Sequence, residues 1–280
     1  RQYSDNTSYK DEWICIRMLP TNGYELAYDP SAWAGIPSEN NNCCAYALNN
    51  QVREPVGNSI WFKQQPGEYY NNHRGSCAPI PQGYQSPPSV IVNSVQQDFN
   101  KYNSVNGTSL SFTPIGRYET CPVGTYKVAL VVSNSDYHWY RQDADGLWSH
   151  KRGTTPVKRT DESGELIIDP MIADRDDYST FVGFFAVKPW NNIYNSSKGV
   201  TLVSEDVIST TINDTQLSNI QIGMTYSEVT ETLNSKGIDI GSGSIIQQYR
   251  SSGGVLYTFE YASTEVGFIV SKIIIGGEGK

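Results

Sequence analysis

Apolar runs along the chain predict a sheet-rich architecture with few helices. Residues 13–18 form a short, mostly apolar run that predicts a strand. Residues 125–132 are apolar almost throughout, which is typical of a strand buried on both faces. Residues 165–170 and 181–187 are two further strand-like runs. We expect these runs to complete an antiparallel sheet.

Residues 137–141 and 147–151 predict a β-hairpin around an Asp-Gly turn. A three-residue loop would pair Tyr140 with His150 and would put His150 on the face of His138. A two-residue type I′ loop would instead pair Arg141 with His150 and would place the two imidazoles on opposite faces. The sequence leaves both registers open.

Helix signals precede this sheet. Asn41 and Asn42 are good N-cap residues, and residues 43–48 after them predict a short helix. Residues 89–100 predict a second, amphipathic helix, and the chain between the two is mostly loop, which is typical of a segment that builds or covers a site. A helix followed by a run of strands indicates an α+β fold.

A change of composition after residue 188 predicts a second domain. We expect a domain at residues 1–188, a linker at 189–211 and a small α+β domain at 212–280. In the last segment Thr225 and Glu228 have the spacing of a capping box, and Gly237 occupies the position expected for a helix C′ glycine. Three strand-like runs follow, at residues 244–250, 255–261 and 266–275.

Composition narrows the functional class. The 280 residues carry a net charge of −8, which argues against a nucleic-acid partner because that partner requires clustered Lys and Arg. No apolar run reaches the roughly 18–20 residues of a membrane span. Because the sequence begins with Arg1 rather than Met, we expect a chain from which a secretion signal has been removed, and hence a secreted or cell-envelope protein.

The cysteine count and the glycosylation pattern fit an exported chain. Five cysteines are an odd number, so one disulfide among Cys15, Cys77 and Cys121 would leave at least one thiol without an intramolecular partner. The pattern Asn-X-Ser/Thr carries little weight in so asparagine-rich a chain. It occurs at Asn6, Asn106, Asn195 and Asn213.

The cysteine pair is the candidate for catalytic chemistry. A thiol in the first turn of a helix lies beside unpaired N–H groups and the helix dipole, which favour the thiolate. Cys44 shares a helical face with Leu48 and is expected in the core, whereas Cys43 shares a less apolar face and is the favoured nucleophile. The alternative is that both cysteines are packed as small hydrophobic residues.

A nucleophilic thiol needs a base, and His138 and His150 are the candidates. Asp136 lies two residues before His138 and on the same face of the predicted strand. Either imidazole could be the base, and a histidine in an aromatic-rich strand could also be a packing residue. No Cys-x-x-Cys spacing is present, so we expect no metal site and no cofactor.

Asn42-Cys43 with Ala45-Tyr46-Ala47-Leu48, followed later by His138-Trp139-Tyr140, resembles the papain-like cysteine hydrolase superfamily, particularly its NlpC/P60-type and amidase branch. The resemblance covers about residues 13–188. It implies a helix packed on an antiparallel sheet, with Cys43 as nucleophile, His138 as base and His150 or Asp136 as the orienting group. Cys44 and the long insertion between helix and sheet depart from the family pattern.

The C-terminal segment is similar to the SmpA/OmlA and β-lactamase-inhibitor-like small domains, which usually bind proteins or envelope components; the motif is Ile222-Gly223-Met224-Thr225 with Glu228-Val229. Our main prediction is therefore an exported bacterial cysteine hydrolase that cleaves an amide bond, with cell-wall peptide as a candidate substrate. The C-terminal domain would bind a protein partner or a second copy. The alternative is a non-catalytic surface or self-assembling structural protein that retains a papain-like fold.

Overall fold

The chain has a mixed α+β architecture, which confirms the predicted fold class. In the computed structural model, a six-stranded sheet is followed along the chain by a five-stranded sheet. Helices accompany both sheets. The structure describes residues 18–35, 41–51, 65–67, 69–70, 87–190, 211–241, 243–264 and 267–276.

The first sheet has the strand order β1-β6-β2-β3-β4-β5, and its neighbouring strands are antiparallel. Its strands are β1 (Ser111–Ile115), β2 (Tyr126–Val132), β3 (Tyr137–Gln142), β4 (Trp148–Lys151), β5 (Val157–Lys158) and β6 (Thr180–Lys188). β2, which is fully buried, lies near the centre of the sheet, as its continuous apolar run predicts.

The prediction of a strand at residues 165–170 is wrong. That segment contributes a single bridge, between Thr160 and Leu166. The Asp161 carboxylate accepts hydrogen bonds from the backbone N–H groups of Glu165 and Asp174, at 3.0 Å each. These contacts hold the segment in turns, because an aspartate side chain that bonds nearby backbone competes with strand pairing.

Two helices, α1 (Cys43–Ala47) and α2 (Pro88–Asn106), accompany the first sheet. α2 begins at a proline, whose missing N–H is not needed there, and ends at Gly107, which has the left-handed φ of 64°. The helix therefore extends six residues beyond the predicted end at residue 100. Its apolar side shares a core with both cysteines and with the sheet residues Phe112, Val128, Leu130, Trp139, Phe185 and Val187.

The hairpin between β3 and β4 has the three-residue loop. The backbone N–H of Asp143 donates to the carbonyl of Leu147, and Gly146 has the positive φ of 85° that such loops need. Tyr140 consequently pairs with His150. Of the two registers left open by the sequence, the structure has the one that places His138 and His150 on the same face.

The second sheet has the order β11-β10-β9-β7, with β8 also paired to β9. Its pairs are antiparallel except for the short parallel pair of β7 and β9. The elements are β7 (Thr211–Ile212), α3 (Asp214–Ser218), α4 (Tyr226–Leu233), β8 (Ile238–Asp239), β9 (Ile246–Ser251), β10 (Leu256–Thr264) and β11 (Gly267–Gly276).

The predicted capping box at the start of α4 is confirmed. The Thr225 side chain accepts from the backbone N–H of Glu228, and the Glu228 carboxylate accepts from the backbone N–H of Thr225. The predicted C′ role of Gly237 is wrong, because Asn234 takes the left-handed conformation directly after the helix. Gly237 is instead needed for close packing, since a Cβ there would lie 2.7 Å from the Tyr249 ring.

Backbone contacts join the two sheets at Gly153. Thr154 donates from its backbone N–H and from its hydroxyl to the carbonyl oxygen of Asp239, at 2.8 and 3.0 Å. A Cβ at Gly153 would collide with that same carbonyl and would lie 2.6 Å from the carbonyl oxygen of Gly241. The close approach of the two backbones therefore depends on glycine at this position.

Some predictions fall outside the described residues. These are the strand at residues 13–18, the disulfide candidates Cys15 and Cys77, and the glycosylation motifs at Asn6 and Asn195. The predicted linker is described only at its two ends. The two sheets lie on either side of it in the sequence, and the division into domains stays a prediction.

Candidate functional site

Asn42 caps the helix that carries both cysteines. Its side-chain oxygen accepts hydrogen bonds from the backbone N–H groups of Cys44 and Ala45, at 3.1 Å each. Helical spacing predicts that Cys44 lies in the core and that Cys43 is less buried. Every residue of α1 is buried, so the two cysteines do not differ in exposure. The assignment of Cys43 as a nucleophile stays a prediction.

Polar contacts fix α1 to one face of the first sheet. The Tyr46 hydroxyl lies 2.7 Å from the hydroxyl of Ser149 and accepts from the Arg141 guanidinium at 2.7 Å. The Lys151 ammonium donates to the carbonyl oxygen of Asn41 at 2.6 Å. Arg141, Ser149 and Lys151 project from the same face, because side chains alternate along a strand and Arg141 pairs with Ser149.

Buried charges under α1 are compensated. The Arg141 guanidinium lies 3.0 Å from the Asp143 carboxylate and 4.1 Å from the centre of the Tyr46 ring. Burial raises the pKa of Tyr46 to about 12, and the Arg141 charge opposes this rise. Burial also raises the pKa of Asp143, again against the effect of Arg141. This cluster is a structural anchor, because its members bind one another.

His138 and His150 form a hydrogen-bonded pair. His138 Nε2 lies 2.8 Å from His150 Nδ1, and His150 Nε2 lies 3.0 Å from the carbonyl oxygen of Thr160. A carbonyl only accepts, so His150 carries its proton on Nε2 and, when neutral, accepts at Nδ1 from His138. These hydrogen bonds fix the neutral tautomers of both rings and make Nδ1 of His138 an acceptor.

Both imidazoles are held neutral. Burial lowers the pKa of His138 well below its ordinary value, and the neighbouring His150 lowers it further. Burial lowers the pKa of His150 to about 4, and the hydrogen bond to Thr160 opposes this shift. A neutral imidazole can accept a proton, but these rings lie in an aromatic cluster with Tyr140 and Tyr178 that separates them from water.

Asp136 bonds to Tyr178 and to the backbone of the second sheet. One carboxylate oxygen accepts from the Tyr178 hydroxyl at 2.7 Å. The other accepts from the backbone N–H groups of Gly243 and Ser244, at 2.5 and 3.3 Å. The side chain proposed to orient a histidine therefore connects the first sheet to the second. Burial raises the pKa of Tyr178 well above its ordinary value, and the Asp136 charge adds to this.

Two sets of side chains alternate along β3. Tyr137, Trp139 and Arg141 face α1, whereas His138 and Tyr140 alternate with them on the opposite face. Burial dominates the raised pKa of Tyr140 and of Tyr178, and a smaller electrostatic contribution to both comes from Cys43. His138 and His150 bond to each other, and His150 also bonds to the carbonyl oxygen of Thr160.

All four predicted site residues are buried from water. Cys43, His138, His150 and Asp136 each expose no more than 2% of their surface. A hydrolytic site needs its nucleophile and base within reach of a substrate. The arrangement is that of a packed interior in which the two imidazoles and Asp136 have hydrogen-bond partners.

Sequence reasoning missed the polar residues that organise this interior. Tyr178 reaches Asp136 across 42 positions of sequence, and Tyr46 reaches Ser149 across 103. One available signal was a charged residue inside an apolar strand, as at Lys127, Arg141 and Lys151. Such residues are buried only with partners, so they indicate an internal polar network.

Among the described residues, no group of three or more His, Cys, Asp or Glu side chains is arranged to hold a metal ion. Within the same residues, no helix has the length and apolar character needed to cross a bilayer.

Comparison with known proteins gives one partial relationship. No protein-family model matches the chain, and no solved structure matches it. A segment of 63 residues is 56% identical to part of "Insoluble matrix shell protein 1" from Ruditapes philippinarum. The segment covers 22% of this chain and 43% of that protein, so the chain spans less than half the length of the curated relative it matches.

This similarity overturns the prediction of an exported bacterial cysteine hydrolase that cleaves an amide bond. The matched relative is a mollusc protein, and its name describes matrix material and not a hydrolase. Both the hydrolase and the bacterial parts of the prediction are wrong. The resemblance to the papain-like superfamily stays a prediction, as does the resemblance of the C-terminal segment to SmpA/OmlA-like domains.

Proposed function

We propose that this chain is a secreted, non-catalytic structural protein that associates with copies of itself in an extracellular matrix. The observation that carries the proposal is the 56% identity over 63 residues to "Insoluble matrix shell protein 1". A protein of an insoluble matrix must hold to its neighbours, so its working parts are surfaces and a stable interior.

The interior of the first sheet supports a structural role. Cys43, His138, His150 and Asp136 are enclosed, and the described contacts join the imidazoles and the carboxylate to neighbouring protein groups. Buried polar groups that are fully bonded rigidify a core and define one packing arrangement. The same residues that suggested catalysis in the sequence thus serve the packing of the sheet.

The edge of the second sheet supplies a surface for association. Within the described residues β11 is the outermost strand, and its first half is covered because Val270 bonds to Gly223 and Met224. Residues 271–276 extend beyond this cover, and Ile275 is 62% exposed. Long apolar edge strands present backbone groups that pair with another chain.

The charge on this edge is neutralised. Lys272 is the residue that would keep a second strand away, since a lysine on an edge strand opposes pairing. Its ammonium lies 2.9 Å from the Glu260 carboxylate on β10. The edge therefore presents a mostly apolar strand whose lysine is already paired, and we assign its partner as β11 of a second copy.

The test is sedimentation velocity of the purified chain at increasing concentration. The wild-type chain should shift to species larger than a monomer, and Ile275→Lys should remain monomeric because an added lysine on an edge strand opposes pairing. Ile172→Lys is the matched control: Ile172 is 58% exposed and lies in a loop of the first sheet. It should associate as the wild type does.

Two results would overturn the proposal. A wild-type chain that stays monomeric up to its solubility limit would contradict the proposed self-association. Equal loss of association in both lysine variants would show that added charge matters and that β11 does not. Circular dichroism of each variant establishes that the fold is retained.

A further inference from the structure

We propose that Asn213 is an N-glycosylation site, an inference that rests on the proposed secreted role. Asn213, Asp214 and Thr215 match the Asn-X-Thr acceptor pattern, in which the asparagine amide nitrogen receives the sugar. The pattern also occurs at Asn106 within the described residues. The structure distinguishes the two positions.

Asn213 and Thr215 are both exposed at the surface. The side-chain oxygen of Asn213 accepts a hydrogen bond from the backbone N–H of Thr215 at 2.8 Å. Among the described residues, none bonds to the side-chain nitrogen of Asn213. A sugar on that nitrogen would leave the oxygen in its present contact, so the modification is compatible with the fold.

The side-chain nitrogen of Asn106, in contrast, already donates two hydrogen bonds. It donates to the Tyr69 hydroxyl at 3.2 Å and to the Tyr102 carbonyl at 3.0 Å. The hydroxyl of Thr108, the third residue of that pattern, donates to Asn103 at 2.8 Å. A sugar at Asn106 would replace one donor hydrogen and would insert bulk between two aromatic neighbours. The fold therefore favours Asn213 as the modified residue.

The reaction is a group transfer from a lipid-diphosphate-linked oligosaccharide, the donor class that export through an animal secretory pathway supplies. A bond forms between the Asn213 side-chain nitrogen and C1 of the first sugar. The bond between C1 and the diphosphate oxygen breaks, and the lipid diphosphate leaves with that electron pair. One amide proton is released to a base, and no group is oxidised or reduced.

The position of Asn213 gives the sugar a role in assembly. Asn213 directly follows β7, and in the strand order β7 lies at the end of the second sheet opposite β11. A bulky hydrophilic glycan there would oppose strand pairing at the β7 side while β11 stays accessible. The second sheet would then present one edge for association.

The experiment expresses the chain behind a cleavable secretion leader in an animal cell line and measures site occupancy by peptide mass spectrometry. Because Asn6 and Asn195 carry the same pattern, the peptide that contains Asn213 is read directly. Wild-type protein should be occupied at Asn213. Thr215→Val should lose the glycan and keep the side-chain oxygen of Asn213 in its contact, whereas Thr215→Ser should retain the glycan because it keeps the hydroxyl.

Asn106→Gln is the matched control, and it should leave occupancy at Asn213 unchanged. An unmodified Asn213 peptide from secreted wild-type protein would overturn the inference, as would occupancy at Asn106 with Asn213 bare. The proposed self-association is measured separately, on chain produced in bacteria without sugars, so a failure of one result leaves the other intact.

Discussion

Replacing Gly153 by alanine should weaken the contact between the two sheets. Gly153 has a φ of +43°, and its Cβ would collide with the carbonyl of Asp239. Gly164 supplies the matched control, because its φ is +87° and a Cβ there would meet nothing within 4 Å. The two substitutions share the backbone strain of alanine in the left-handed region and differ in the collision.

The magnitudes follow from the contacts. Alanine in the left-handed conformation costs about 1 kcal/mol of stability at either position. At Gly153 the backbone around Asp239 must also move away, which removes the two hydrogen bonds from Thr154 at about 1 kcal/mol each. Gly153→Ala should therefore lower the free energy of unfolding by about 3 kcal/mol and Gly164→Ala by about 1 kcal/mol.

Urea denaturation of both variants and the wild type measures these free energies. Hydrogen exchange at the Thr154 amide reports the contact itself, and exchange should accelerate in Gly153→Ala and stay unchanged in Gly164→Ala. Equal losses of stability in the two variants would refute the collision argument. Unaltered Thr154 exchange in Gly153→Ala would show that the strand around Asp239 does not sit against Gly153.

Two further predictions concern pH and helix capping. Burial lowers the pKa of His150 to about 4 and that of His138 well below its ordinary value, so the unfolded chain binds protons that the folded chain does not. The free energy of unfolding contributed by this pair should fall as the pH drops from about 6.5 towards 4, and His150→Gln should flatten that fall in urea titrations at several pH values. Asp98, whose pKa burial raises to about 6, contributes the opposite slope in both proteins and cancels in the comparison; an unchanged slope in His150→Gln would contradict the prediction. Thr225→Ala should lower the free energy of unfolding by about 1 kcal/mol because the backbone N–H of Glu228 loses its acceptor. Thr225→Ser keeps a hydroxyl acceptor and should retain most of that stability. Equal melting temperatures for the wild type and both variants would argue against the cap.

Sequence patterns predicted the features that depend on residues close together in the chain. The capping box spans three positions, and the asparagine cap of α1 acts on the next two or three residues. The strands at 125–132 and 181–187 were predictable because a short, continuous apolar run bounded by turn residues is typical of a buried strand. For the hairpin, the sequence left two possible registers. The loop geometry at Gly146 decides between them.

The candidate site was less predictable because it depends on distant partners. Helical spacing assigned Cys44 to the core and Cys43 to a site, yet the sheet and loops enclose both faces of so short a helix. Asp136 appears in the sequence as a neighbour of His138, but its backbone partners lie 107 and 108 positions away. A local sequence pattern cannot predict contacts between residues so far apart in the chain.

The junction between the sheets has a mechanical consequence. It includes hydrogen bonds at Asp136 and Thr154, while each sheet keeps its own cluster of buried apolar residues. Under tension such a junction should yield before either sheet unravels. The covalent chain between residues 190 and 211 would then keep the two sheets connected, with a fully extended length of about 70 Å at about 3.3 Å per residue. Release and rejoining of the junction would let a loaded molecule lengthen and dissipate work without losing its fold.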